Sequence, residues 1–88
     1  MSSKMNSVYV VVENGVPYAA AYVSFELAVL AVKAVHAEEI NRQLEDAHGE
    51  PICSELDVPE NTLTGITHLY VEKGINIEVH KLQVLEAL

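Results

Sequence analysis

The sequence has few of the residues on which disulfide-linked and membrane-spanning proteins depend. Its 88 residues include one cysteine, no tryptophan, three prolines and four glycines. Cys53 alone cannot form an internal disulfide, whereas small secreted domains usually carry several cysteines. The first seven residues also lack the apolar segment of a secretory signal. We therefore expect a cytoplasmic location, in the cell that encodes the chain or in a host.

Positive charge is also scarce. Five Lys and Arg residues stand against thirteen Asp and Glu residues, which gives a net charge of −8. A field of this sign repels phosphate, so direct binding to nucleic acid or to an anionic membrane is disfavoured. The longest apolar stretch, residues 25–37, is too short and too interrupted by charge to span a bilayer.

The chain has the composition of one folded domain. Half of its residues are apolar, no internal repeat or linker divides it, and 88 residues cannot hold two cores. We expect a single domain over residues 1–88, with residues 1–6 disordered.

A first β-hairpin is predicted around Asn14-Gly15, a pair that favours a type I′ turn after the β-branched run at 8–12. Its two faces differ in composition. One carries Val8, Val10, Val12, Ala19 and Ala21, and the other carries Tyr9, Val11, Tyr18, Ala20 and Tyr22.

A helix is predicted to begin after the N-cap Ser24 and to end before Gly49. One stripe should lie on the sheet: Val29, Leu30, Ala37, Ile40, Leu44 and Ala47. The first half of this helix is apolar on all sides, and one small sheet covers only one side. We therefore expect a homodimer, with an interface formed by Leu27, Ala31, Val32, Ala34 and Val35.

A second hairpin is predicted around Lys73-Gly74, after an irregular connection at 49–65. Its aliphatic residues share a face if a three-residue loop places Gly74 in the left-handed conformation. They are Leu69, Val71, Ile75, Ile77 and Val79. Beyond Val79, either a bulge restores the pattern or Leu82 and Val84 point outward. The predicted fold class is α+β with the order ββαββ, one long helix lying on one face of an antiparallel sheet.

If the aliphatic faces lie under the helix, every tyrosine projects from the opposite face. Tyrosine offers a large rigid area and a hydroxyl group, so this face is the predicted partner-binding surface. Its residues are Tyr9, Tyr18, Tyr22, Tyr70, His68, His80 and Glu78. The competing interpretation is that tyrosine merely suits half-exposed strands.

The remaining chemistry is sparse. The acidic group Glu38, Glu39, Glu45, Asp46 and Glu50 could imitate nucleic acid, although a solvated helix face is the simpler interpretation. His36 and Glu39 are two candidate metal ligands without further partners, and Cys53 has no basic neighbour to activate it. We expect no catalytic residue, no metal and no cofactor.

Several segments resemble small proteins encoded in phage genomes and bacterial accessory regions. These segments are Val8-Tyr9-Val10-Val11, Asn14-Gly15-Val16-Pro17, Ala21-Tyr22-Val23-Ser24 with Glu26 and Ala28, and Ile77-Glu78-Val79. The likeness covers about the first thirty residues and the last strand. It implies a phage or accessory origin, action in the cytoplasm and no catalysis.

The sequence therefore predicts a non-enzymatic, acidic protein-binding module that modulates or inhibits a host or cellular protein as a homodimer. Two alternatives stay open. One is a dimer that sequesters or senses a small molecule in a pocket of Tyr9, Tyr22, Tyr70 and His68; the other is a minor virion or scaffold component.

Overall fold

A computed structural model describes residues 6–85 and shows a four-stranded antiparallel sheet with two helices. The elements in chain order are β1 (Asn6–Glu13), β2 (Val16–Tyr22), α1 (Phe25–Val35), α2 (Ala37–Ala47), β3 (Ile66–Glu72) and β4 (Ile75–Val84). The α+β class is confirmed. Residues 1–5 of the segment expected to be disordered lie outside the described residues, and Asn6 already belongs to β1.

The prediction of one long helix is wrong, because His36 interrupts it. Its φ and ψ angles are −108° and 29°, although the backbone hydrogen bonds His36 N–Val32 O and Ile40 N–His36 O, both 3.0 Å, cross the break. No proline or glycine marks this position. The N-terminus follows the prediction, since Ser24 Oγ accepts a hydrogen bond from Leu27 N at 3.1 Å.

The sheet has the strand order β2-β1-β4-β3, so the first and last strands form its centre. The tips of the two hairpins are joined by Asn14, whose side chain donates to Gly74 O (2.7 Å) and accepts from Asn76 N (3.0 Å). At the β3 edge, Glu55 forms an isolated antiparallel bridge with Tyr70. Among the described residues, β2 pairs with β1 alone and forms the other edge of the sheet.

The first hairpin turns the opposite face toward the helix from the one predicted. Tyr9 is 8% exposed and Val11 is fully buried, while Tyr18 and Tyr22 pack against the same core. The Tyr9 ring makes an edge-to-face contact with Phe25 of α1, with ring centroids 6.1 Å apart. Because strand side chains alternate, Val8, Val10 and Val12 point away from the helices.

The facing of the second hairpin is as predicted, with Leu69, Val71, Ile77 and Val79 buried. A two-residue turn with a bulge between Tyr70 and Glu72 replaces the expected three-residue loop, and Gly74 has a left-handed φ of 90°. The β1–β4 register runs without interruption to Val84. Leu82 and Val84 therefore point outward, the second of the two alternatives.

The helix stripe that meets the sheet also differs from the prediction. The buried residues of α1 are Phe25, Ala28, Val29 and Val32, whereas Leu30 and Leu44 are exposed. Because this segment is apolar around its whole circumference, its sequence does not specify which side of the helix packs on the sheet. In the structure, the side next to the predicted one does so. Within residues 6–85, neither helix has the length and hydropathy needed to cross a membrane.

Candidate functional site

The face of the sheet opposite the helices is the most extensive candidate interaction surface. We call it the open face, and it is formed by Val8, Val10, Val12, Ala21, Ile66, His68, Tyr70, Glu78, His80, Leu82 and Val84. The alternation of the strands places these residues on one side, since their neighbours in sequence form the core. Both helices pack on the other side.

Strand pairing arranges the open face in rows. One row crosses the sheet from Ala21 through Val10 and His80 to Ile66. At the end of the sheet where β4 finishes, Val8 lies opposite Leu82, which is 48% exposed. Apolar side chains thus occupy the centre and one end of the surface.

A polar strip lies within this apolar surface, with Glu78 between two histidines. Glu78 Oε1 is 2.9 Å from His80 Nε2 on the same strand. Glu78 Oε2 is 3.8 Å from His68 Nδ1 on the neighbouring strand. The histidines differ in accessibility, since the His68 side chain is 73% exposed and that of His80 is 27% exposed. The strip offers donors and acceptors to a partner at fixed positions.

Four of the seven predicted partner-binding residues are brought together on the open face: Tyr70, His68, His80 and Glu78. The prediction that Tyr9, Tyr18 and Tyr22 project from this face is wrong, because they lie on the helix side of the sheet. The pocket postulated for a small molecule, with Tyr9 and Tyr22 beside Tyr70 and His68, cannot form. The sheet itself separates the two pairs.

The hydroxyl group of Tyr9 explains how a tyrosine is accommodated under a helix. It donates a hydrogen bond to Glu60 Oε2 at 2.9 Å, so the ring fills the core while the polar end reaches the connection between α2 and β3. Burial raises the pKa of Tyr9, and the hydrogen bond to Glu60 raises it further. Aromatic residues with a polar end serve both needs, which a valine at this position could not.

A second cluster of polar residues lies at the helix break. His36 is 6% exposed; its Nε2 is 2.7 Å from Glu13 Oε1 and its Nδ1 is 3.3 Å from Glu39 Oε1. Tyr18 donates from its hydroxyl group to the same Glu13 Oε1 at 2.8 Å. An imidazolium donates from both nitrogens, so the protonated ring satisfies both carboxylates. The cluster links the break between α1 and α2 to the first hairpin.

The electrostatics of this cluster follow from its hydrogen bonds. Burial acts to raise the pKa of Glu13, but the hydrogen bonds from His36 and Tyr18 together outweigh it, and the pKa is lowered. Burial and the adjacent Glu13 carboxylate raise the pKa of Tyr18. Glu13 is therefore ionised and Tyr18 is neutral at neutral pH. In the sequence, His36 and Glu39 were recognisable as neighbours on a helix, but their partner in β1 was not.

Other candidate chemistry stays apart in the structure. Among residues 6–85, no group of three or more His, Cys, Asp or Glu side chains is arranged to hold a metal ion. Cys53 is exposed, and its thiol lies 3.8 Å from the carbonyl oxygen of Val71. Neighbouring Ser54 donates to Val71 O at 2.6 Å, which fixes this segment along the β3 edge.

The predicted dimer interface divides into two parts. Leu27 and Val35 are 45% and 59% exposed, and Ala34 is exposed as well. Val32 is fully buried in the core of its own protomer, so its assignment to the interface is wrong. The other four residues form an accessible apolar surface that we call the flank of α1. They are Leu27, Ala34 and Val35, which are exposed, and Ala31, which is half-buried.

Comparison of the chain with protein-family models, curated protein sequences and solved structures gives no match.

Proposed function

We propose that this chain is a non-enzymatic protein-binding module that binds its partner through the open face and acts as a modulator of that partner. The observation that carries the proposal is the column formed by Val8, Val10 and Val12 on the central strand β1, directed away from both helices. An antiparallel sheet with one solvated face normally alternates apolar residues inward with polar residues outward. In β1 both faces are apolar.

The composition of the open face suits a protein partner. The centre of a protein interface is apolar and depleted in charge, with polar groups that set orientation. Here Val10 and Val12 lie beside His80 and Glu78 on the neighbouring strand. Tyr70 adds an aromatic ring and a hydroxyl group near the turn of the second hairpin. A catalytic role finds less support, since the best-connected histidine, His36, is buried with both ring nitrogens facing carboxylates.

We also propose that the module acts as a homodimer through the exposed flank of α1. Leu27, Ala31, Ala34 and Val35 present an apolar surface without an intervening charge. Exposed apolar patches of this kind are typical of association sites. This flank lies on the helix side of the sheet, so pairing through it leaves the open face accessible to another protein.

The test of the open face compares capture of a binding protein by two variants of matched chemistry. Replacing Val10 and Val12 by Thr keeps a β-branched side chain in the strand while adding hydroxyl groups to the binding surface. The control is Leu63→Ser, which makes a similar change at a 96% exposed loop position. We expect the Val10→Thr/Val12→Thr protein to lose capture and the control to retain it, with both melting cooperatively.

Equal capture by the two variants would remove the open face from the proposal. Site-specific photo-crosslinking gives a second measurement, with the crosslinker placed at Tyr70 or, as a control, at Glu45 on α2. Crosslinks to the same binding protein should form from Tyr70 and not from Glu45. The dimer is tested separately by sedimentation, where Leu27→Glu should give a monomer if the flank of α1 is the interface.

A further inference from the structure

A shallow groove that is largely open to solvent lies along the sheet edge that β2 forms within residues 6–85, mainly on the helix side of the sheet. It has a volume of about 700 Å³ and is lined by, among others, Glu13, Pro17, Tyr18, Ala20, Tyr22 and Val35. We call it the β2 groove. It meets the open face at Pro17, which pairs with Val12, but Glu13, Tyr18, Tyr22 and Val35 lie on the helix side, so it constitutes a second surface.

The β2 groove combines aromatic rings with an ionised carboxyl group. Tyr18 and Tyr22 are half-buried beside Glu13, and no Lys, Arg or His is among the described residues that line the groove. Both hydrogen bonds that position the Glu13 carboxylate end on Oε1, from Tyr18 and from His36. These bonds fix the carboxylate in place, and Oε2 is the oxygen left for a ligand.

The cluster of Glu13, His36 and Glu39, of which Glu13 lines the groove, is negative in either protonation state of its histidine. Glu13 and Glu39 both face His36, so a protonated ring still leaves one negative charge in excess. The whole chain, these two carboxylates included, has a net charge of −8, which attracts cations to its surface. Aromatic faces and a carboxylate together favour an organic cation over a metal ion, because cation–π attraction adds to the ion pair.

We propose that the β2 groove binds a basic side chain, preferably an arginine, carried by a protein partner. A guanidinium group is planar, stacks on tyrosine rings and donates a charge-assisted hydrogen bond to a carboxylate oxygen. A protein is the expected source because the groove follows the edge of β2, where the backbone has one strand neighbour and can pair with an extended segment. This site is additional to the open face and does not depend on it, and it borders the proposed dimer flank of α1 at Val35.

The proposal predicts the binding of a short peptide to the intact chain. The probe is acetyl-Gly-Val-Arg-Val-Gly-amide, and its control is the same peptide with citrulline, which keeps the shape of arginine without the charge. Titration followed by amide NMR should give saturable shifts at Glu13, Tyr18 and Tyr22 with the arginine peptide. The citrulline peptide should give much smaller shifts, and arginine amide should bind more weakly than the peptide.

Variants separate a specific site from general attraction between charges. Glu13→Gln keeps an oxygen to accept from Tyr18 and should weaken peptide binding by about tenfold, the value of one charge-assisted hydrogen bond. The matched control, Glu45→Gln, removes the same charge from α2 and should leave affinity nearly unchanged. Tyr22→Leu provides a second test. It removes the aromatic ring and keeps the carboxylate cluster, and it should also weaken peptide binding.

Three results would overturn the proposal: equal binding of the arginine and citrulline peptides, equal losses in Glu13→Gln and Glu45→Gln, or equal affinity for arginine amide and the peptide. The last result would assign the groove to a small organic cation. The open-face variant Val10→Thr/Val12→Thr should bind the peptide normally, so failure at one surface is distinguishable from failure at the other.

Discussion

Replacement of Tyr9 and of Tyr70 should have very different effects on stability, since the two tyrosines lie on opposite faces of the sheet. Tyr9 packs in the core against Phe25, and truncation of a buried aromatic ring to Ala costs about 3–5 kcal/mol. That is a large part of the free energy of unfolding of about 5–15 kcal/mol for a typical domain. Tyr70 lies on the open face, where its cross-strand contacts contribute at most about 1 kcal/mol.

The hydroxyl group of Tyr9 allows the same comparison in a protein that still folds well. Tyr9→Phe keeps the ring and its edge-to-face contact but removes the hydrogen bond to Glu60, 2.9 Å long. We expect a loss of about 1 kcal/mol. Tyr70→Phe removes a hydroxyl group on the open face and should leave stability nearly unchanged.

Urea denaturation monitored by far-UV circular dichroism measures these differences as shifts of the midpoint at constant slope. The expected order of destabilisation is Tyr9→Ala, then Tyr9→Phe, then Tyr70→Ala close to the parent protein. A Tyr9→Ala protein destabilised no more than Tyr70→Ala would refute the assignment of the two faces. It would mean that the first hairpin turns its valines toward the helix, as the sequence had suggested.

Three further predictions concern the helices and the cluster at their break. The pKa of Glu13 is lower in the folded protein than in the unfolded chain, so this carboxyl group stabilises the fold above its ordinary titration range. That contribution is lost as the pH falls through the folded pKa. Glu13→Gln should therefore reduce the slope of unfolding free energy against pH on the acid side, and an unchanged slope would contradict this. Ser24→Ala should cost about 1 kcal/mol through loss of the N-cap, measured by thermal unfolding, with Ser24→Asp restoring it. His36→Leu should destabilise the fold because it leaves Glu13 and Glu39 without their shared partner, whereas equal stability at neutral pH would show that the cluster contributes little.

Local signals in the sequence were sufficient for the positions of both turns and for the ends of the helical segment, although not for the length of the second turn. Asn14-Gly15 and Gly74 have the positive φ angles that tight turns require, and Ser24 caps α1 through its hydroxyl group. Most side chains predicted to share a face do so, because strand side chains alternate, but a register shift opposite Val11 in the first hairpin and another between Tyr70 and Glu72 interrupt the alternation. In the second hairpin one face is aliphatic and the other is polar, so the side that meets the helix followed from composition.

Only the tertiary structure decided which face of the first hairpin is buried. Both faces of β1 are apolar. The free energy of transfer from water therefore does not favour burial of the face that carries Tyr9 over burial of the face that carries Val10. The choice depends on shape and on polar partners far along the chain: Phe25 receives the Tyr9 ring, Glu60 accepts its hydroxyl group, and Glu13 meets His36 at the helix break. Such pairings join residues distant in sequence, and local periodicity carries no information about them.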